Sequence, residues 1–428
     1  MTDLYGPERT QNPYQNRKVI KNPDDFFGRR KEVHEIFDLI SNSNGPQSIS
    51  VVGERKIGKS SLLLFIKNEI IQKKYLESPD DYIFIYLELN AFLNYDSKEF
   101  CKTLLKELSS AVSEDIPSSG ETSCRLLERF VSLLSSRGKR IIFMFDEFDS
   151  ISQMSAFDFD LLEYFRALAG KYPLSFIICS RISIQELTKI GKGSPFFNIF
   201  HNFYLGYLRE EEALELIQIP SSKQKVIFNM EDIKFVNEVA FLHPFFIQIA
   251  CCHLFNLRKE ENKLNGEKLN SKSYDLLFQR FCNDTISHWK FYFDHMDEQE
   301  KDLISKIFAG KSISHVENKI AYRLYNRSLV YMRDGKWKVL SPAFQECVLG
   351  EKKINKLEKR ELGKESSIKR YLISYFINFL ASLTVVIFTK TYFIQNMSRN
   401  IMIAVVIAMG TILTGFFWFW KDMKKKYQ

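Results

Sequence analysis

The stretch VVGERKIGKSSLLLF, beginning at Val51, constrains this chain more than any other. It carries the spacing G-x-x-x-x-G-K-S, filled by Gly53, Gly58, Lys59 and Ser60, with Ser61 directly after. Glycines at these positions let a loop curl until its backbone N–H groups point inward at phosphate oxygens. Lys59 would then reach the β- and γ-phosphates, and the Ser60 hydroxyl would bind Mg²⁺. The flanks support this reading over a Gly/Lys surface turn. SISVV before the loop has the pattern of a buried strand, and SSLLLFIKNEII after it that of a helix with one apolar face. Such a helix adds its positive N-terminal end to the grip.

A second segment, KRIIFMFDEFDSI, supplies acids where the first supplies donors. Residues 141–145 are a short unbroken apolar run, as in a parallel strand buried on both faces. Asp146 and Glu147 fall at its carboxyl end, where open α/β sheets place ligands. Asp146 would hold Mg²⁺ through water, and Glu147 would orient and deprotonate an attacking water. Asp149 has the position of a helix N-cap or a surface residue. A third strand, LSFIICSR, ends at Ser180 and Arg181. Ser180 could sense a γ-phosphate. Arg181 would either add positive charge where a transition state is negative or start a solvated loop. Arg166 would be an arginine finger toward a neighbouring subunit or, more simply, a surface ion pair.

The chain has 428 residues and a formal net charge of +8, a length of two to three domains. That charge is concentrated: residues 351–428 hold 14 basic and 5 acidic side chains, and residues 1–350 hold 46 and 47. A basic C-terminal end around apolar runs argues for membrane anchoring and against a basic nucleic-acid-binding domain. The seven cysteines include no C-x-x-C pair, which suggests reduced thiols in a cytosolic setting, and the histidines lack zinc spacing. The first residues, MTDLYGPERT, have no apolar core of a signal peptide.

Periodicity divides the chain further. Residues 1–23 are polar and extended. Residues 24–205 alternate strands and helices, the pattern of a parallel sheet covered on both faces. Residues 206–293 have helical periodicity, with His243 and Pro244 opening one helix. Residues 294–350 suggest a winged helix: two helices, then a hairpin turning near Asp334-Gly335. It carries 9 basic and 8 acidic residues. A basic linker, 351–370, leads to two apolar runs, 371–393 and 401–420, and a basic tail, 421–428. Both runs meet the roughly 20 residues of a transmembrane helix. Basic flanks then put both chain ends, and the phosphate-binding domain, in the cytoplasm.

In the order NPY…FFGRRKE, GERKIGKSS, FMFDEFD, CSR, HPFFIQ and winged helix, residues 12–350 resemble AAA-like P-loop ATPases of the STAND and archaeal-ATPase type, relatives of origin-recognition ATPases. The resemblance implies ATP or ADP, Mg²⁺ and slow, switch-type turnover. It implies contacts to the nucleotide base from Phe27, Gly28 and Arg29, and packing of Pro244 near adenine. No MHD triplet stands in the winged helix, which departs from some STAND proteins. The expected protein is thus an α/β P-loop NTPase of AAA+ type with helical lid, winged helix and two transmembrane helices. The expected function is a membrane-anchored switch ATPase that forms a homo-oligomer on binding ATP, in bacterial or archaeal signalling or phage defence. The lipid bilayer and an unidentified trigger would be its partners. Second stands a membrane-tethered DNA-binding ATPase in chromosome or plasmid maintenance. The neutral charge of the winged helix counts against DNA as a partner.

Overall fold

The structure is a computed structural model and describes residues 11–116, 121–183, 187 and 194–346. Five parallel strands build the sheet: β1 (Ser48–Val52), β2 (Tyr82–Glu88), β3 (Arg140–Asp146), β4 (Leu174–Ser180) and β5 (Phe200–Tyr204). They lie in the order β2-β3-β4-β1-β5. The three central strands are almost wholly buried, which is why SISVV, IIFMF and LSFIICS are unbroken apolar runs. Helices cover both faces: α1 (Arg30–Ile40), α2 (Lys59–Lys67) and α3 (Glu69–Tyr75) on one, and α4 (Ser97–Val112), α5 (Ser123–Ser136) and α6 (Phe159–Lys171) on the other. A reciprocal capping box of Asp96 and Glu99 starts α4. Because β1 sits between β4 and β5, the loop after β1 opens beside the carboxyl ends of β3 and β4.

Next come the lid helices α7 (Glu210–Lys223), α8 (Met230–Ala240), α9 (Pro244–Glu260) and α10 (Ser271–Asp294). Pro220 interrupts α7, and Tyr14 from the N-terminal segment repairs the gap. Its hydroxyl donates to the Ile217 carbonyl and accepts from the Ser221 amide, bridging two groups that a continuous helix would pair. Asn12 adds bonds from its Nδ2 to the Cys252 carbonyl and to Asn256 Oδ1, both at 2.8 Å. The segment around NPY thereby fastens to the lid. The last described elements, α11 (Glu298–Phe308), α12 (His315–Asn326) and the antiparallel hairpin β6 (Val330–Arg333) and β7 (Lys336–Val339), have the order of a winged helix. They share a core with the lid through Trp289, which stacks on both Phe246 and Phe344.

Two expectations are corrected. No helix among the described residues is long and apolar enough to cross a membrane. The longest, α10, has 24 residues but carries Lys272, Asp275, Arg280, Asp284 and Lys290, and buries Leu277, Phe281, Trp289 and Tyr292. The two transmembrane helices expected at 371–393 and 401–420, with the linker 351–370 and tail 421–428, lie outside the described residues. The membrane fold class and two-pass topology therefore have no support among the described residues. The second correction concerns thiols. Cys101 on α4 and Cys124 on α5 form a disulfide, their Cα atoms 5.2 Å apart. The pairing arises from the packing of α4 on α5 and leaves no local spacing to read.

Candidate functional site

The loop between β1 and α2 is built by steric demands on its backbone. An added Cβ on Gly53 would lie 2.8 Å from the Leu205 carbonyl oxygen, so only glycine fits there. Gly58 takes φ 108°, a left-handed value that favours glycine, and turns the chain into α2. No side chain caps that helix, so its first amides are available to an anion. Lys59 lies buried in the loop, its Nζ donating to the carbonyls of Gly53 (2.9 Å) and Glu54 (3.3 Å). Ser60 and Ser61 are half-buried at the start of α2, and the Ser61 hydroxyl accepts from the Ile20 amide at 3.1 Å. A concave run of amides with a lysine held only by carbonyls suits a polyphosphate.

Across the site, β3 delivers Asp146, which is 2% exposed. Its Oδ1 accepts from the Glu147 amide (3.0 Å) and its Oδ2 from the Tyr86 hydroxyl on β2 (3.1 Å). Glu147 adopts φ 52°, ψ 44°, a left-handed conformation that costs a glutamate free energy. Burial pushes its carboxyl above the usual range; Asp149 and Asp146 add to this, while Lys59 and Arg55 oppose it. Asp149 is neither cap nor free: its Oδ1 accepts from the Arg181 amide at 2.9 Å, tying the end of β4 to the acidic turn. Ser180 is fully buried and donates its hydroxyl to the Ile182 carbonyl at 2.7 Å. Arg181 is half-buried at the same strand end. Arg166 pairs with Glu163 on the surface of α6. The donor set of Ser60 and Asp146 is all oxygen and suits Mg²⁺.

The FFGR segment lies at the joint between sheet and lid. Phe26 stacks on Phe65 of α2 at 4.3 Å, and Phe27 packs against the lid core. Gly28 has φ 79°, and an added Cβ would sit 2.9 Å from Cβ of Glu212. The buried Arg29 guanidinium donates to the carbonyls of Gly206 (2.6 Å), Tyr207 (3.1 Å) and Ile57 (3.2 Å). Arg29 thus rivets the phosphate loop to the hinge that leads into the lid. Pro244 opens α9 after His243, whose buried imidazole is driven down to about 3 by desolvation and then by Arg29.

Sequence reasoning missed three residues here. Glu54, 1% exposed, accepts from Arg327 Nε at 2.9 Å. Arg327, just past α12, also donates to Glu300 at 3.0 Å. Burial alone would lower Arg327, but Glu54 and Glu300 outweigh it and hold the guanidinium above its ordinary value. Tyr292 of α10 donates to the Arg55 carbonyl at 2.8 Å. Arg55 and Lys56 sit over the rings of Phe291 and Phe245. Lid and winged helix therefore both grip the phosphate loop. No local signal marks a partner 273 residues away.

Residues 43–276, more than half of the chain, match the family described as Novel STAND NTPase 2. The chain belongs to this family. Its fold is similar to that of a Walker-type ATPase of Pyrococcus abyssi, at 13% identity over 78% of this chain and 99% of that one, with TM-score 0.54. It is also similar to the ORC2 protein of Aeropyrum pernix, described in ADPNP–ADP complexes, at 12% identity over 80% and 98%, with TM-score 0.53. No curated protein matches the sequence. This STAND NTPase is a nucleoside triphosphatase of the P-loop class. The membrane-anchored switch, with a bilayer, an ATP-driven homo-oligomer and an unidentified trigger as partners, is corrected accordingly. The fold likeness is to a Walker-type ATPase and an ORC2 protein, and among the described residues no helix is long and apolar enough to cross a membrane.

Proposed function

We propose that this STAND NTPase is a nucleotide-switched ATPase that acts on duplex DNA through its winged helix. One observation carries the DNA half: the fold sorts charges that the sequence leaves balanced. Five of the acids in the module are engaged in ion pairs. Asp297 and Glu300 hold Arg323, Glu298 holds Lys301, and Asp302 and Glu317 hold Lys306. Lys311, Lys319, Arg333, Lys336 and Lys338 are all exposed and have no ion pair among the described residues. Four of them, Lys319 excepted, line a groove with Tyr322 and Trp337, where together with Lys234 they outnumber the groove's acids, Glu210, Glu231 and Glu238. A helix followed by a cationic hairpin is suited to the major groove and the adjacent backbone. The near-neutral total that argued against DNA counts acids that the fold has already paired.

In the ATPase half, Lys59 and the amides of residues 53–61 hold the phosphates, and Ser60 and Asp146 hold Mg²⁺. The bound ion supplies charge neutralisation at the phosphate oxygens. Glu147 orients a water and takes its proton as that water attacks the terminal phosphorus. Its raised basicity and left-handed backbone fit that task. Arg181 adds positive charge at the carboxyl end of β4. Pro244 packs on the base, and Arg29 carries the closure of the loop to the lid. The Arg327–Glu54 pair joins the phosphate loop to the foot of the wing, so each can report on the other.

The test is binding of the full chain to a fluorescent duplex over a range of salt. Wild type should bind with an affinity that falls as salt rises, and Lys336→Ala/Lys338→Ala should bind more weakly, with a salt slope smaller by about 2. Salt-insensitive binding, or equal binding by the variant, would overturn the assignment.

A further inference from the structure

We propose that Tyr86 is a positioning residue for the metal site, setting how tightly Mg²⁺ is held beside the nucleotide. Nothing about this tyrosine belongs to the phosphate-binding motifs; it stands on the neighbouring strand, sixty residues before the carboxylate it touches. The sheet brings the two together. β2 and β3 run parallel with Tyr86 opposite Met144 and Glu88 opposite Asp146, so the Tyr86 hydroxyl reaches one step up the ladder. Its ring lies with Tyr82 and Phe84 on the sheet face that carries α2, the face of the phosphate loop.

The geometry fixes the carboxylate at both oxygens. The Glu147 amide binds Oδ1 and the Tyr86 hydroxyl binds Oδ2. An ionised carboxylate only accepts, so the phenol must donate. Without the hydroxyl, Oδ2 keeps no protein donor among the described residues, and the carboxylate turns about its Cβ–Cγ bond. A metal held through such a group needs the rotation frozen, and supporting bonds of this kind typically carry 10- to 100-fold in metal affinity. The Tyr86 hydroxyl bonds to Asp146, the residue assigned to the metal, so its weight falls on metal affinity and not on bond cleavage.

Tyr86→Phe tests this, because it removes one oxygen and keeps the packed ring. Mn²⁺ serves as the probe, titrated by electron paramagnetic resonance into the full chain saturated with ADP. A fluorescent ADP titration in excess EDTA serves as the reference. The proposal expects Mn²⁺ to bind about tenfold more weakly to Tyr86→Phe, with metal-free ADP affinity unchanged. Turnover should follow: the Mg²⁺ needed for half-maximal rate rises, while the rate at saturating Mg²⁺ stays within about twofold of wild type. Unchanged Mn²⁺ affinity would overturn the proposal. Equal losses of Mn²⁺ and metal-free ADP affinity would also overturn it, since they would mark a packing role. Neither readout involves DNA, so failure here leaves the DNA reading untouched.

Discussion

Around the phosphate loop Lys59, Glu54, Arg327 and Asp146 are each held by a near neighbour, whereas on the wing Lys311, Arg333, Lys336 and Lys338 stand exposed without an ion pair among the described residues. The first arrangement is dry and geometrically fixed, as bond cleavage requires. The second keeps its cations solvated, as exchange with counterions along a polyanion requires. Substitutions at the loop should therefore act through lost geometry and unpaired burial, with large effects. Substitutions on the wing should act through screened attraction, with smaller and salt-dependent ones.

The largest effect belongs to the loop chemistry. Glu147→Gln should bind ATP and cleave it more slowly by roughly 10²–10⁴, while Lys59→Ala should lose nucleotide affinity itself. Single-turnover hydrolysis and nucleotide titration separate the two, and equal turnover in Glu147→Gln and wild type would assign the base elsewhere. Next in size is the buried pair. Arg327→Met leaves Glu54 uncompensated and should cost about 3–5 kcal/mol in denaturant unfolding. Adding Glu54→Gln should recover a good part of that loss, because the stranded charge is gone.

His243 sharpens the comparison by pH. Its folded value lies near 3, below the ordinary histidine value, so the unfolded chain binds a proton that the fold refuses. Stability from this group is present above about pH 6.5 and lost as pH falls toward 3, at up to about 1.4 kcal/mol per pH unit. His243→Phe should flatten that part of the stability–pH profile, as read by urea midpoints. The wing comes last: Lys311→Ala alone should reduce duplex affinity only a few-fold, and the deficit should vanish at high salt.

What could be read in advance follows from how local each feature is. The strands, the phosphate loop and the Asp146-Glu147 turn are written in contiguous residues, so apolar runs and fixed spacings expose them. Tyr86, Asp149 and Arg327 matter through partners on other elements, and nothing in their own neighbourhoods announces a role. Arg29 shows the intermediate case. Its motif marks the place, but only the structure shows the guanidinium on three main-chain carbonyls instead of open to a ligand. The charge of the winged helix misled for a related reason. A sum over residues discards which acids are already engaged, and engagement is a property of the fold. The Cys101–Cys124 link was illegible in the same way, since helix packing alone brings the two together.

The central claim is that wing and phosphate loop work as one device through the Arg327–Glu54 pair. Its most direct test is the ATPase rate of the full chain with and without duplex DNA, at low salt, in wild type and in Lys336→Ala/Lys338→Ala. The account predicts that the duplex changes the wild-type rate severalfold and that the wing variant keeps its basal rate but loses the response. A wild-type rate indifferent to saturating duplex, or a wing variant that still responds in full, would contradict it.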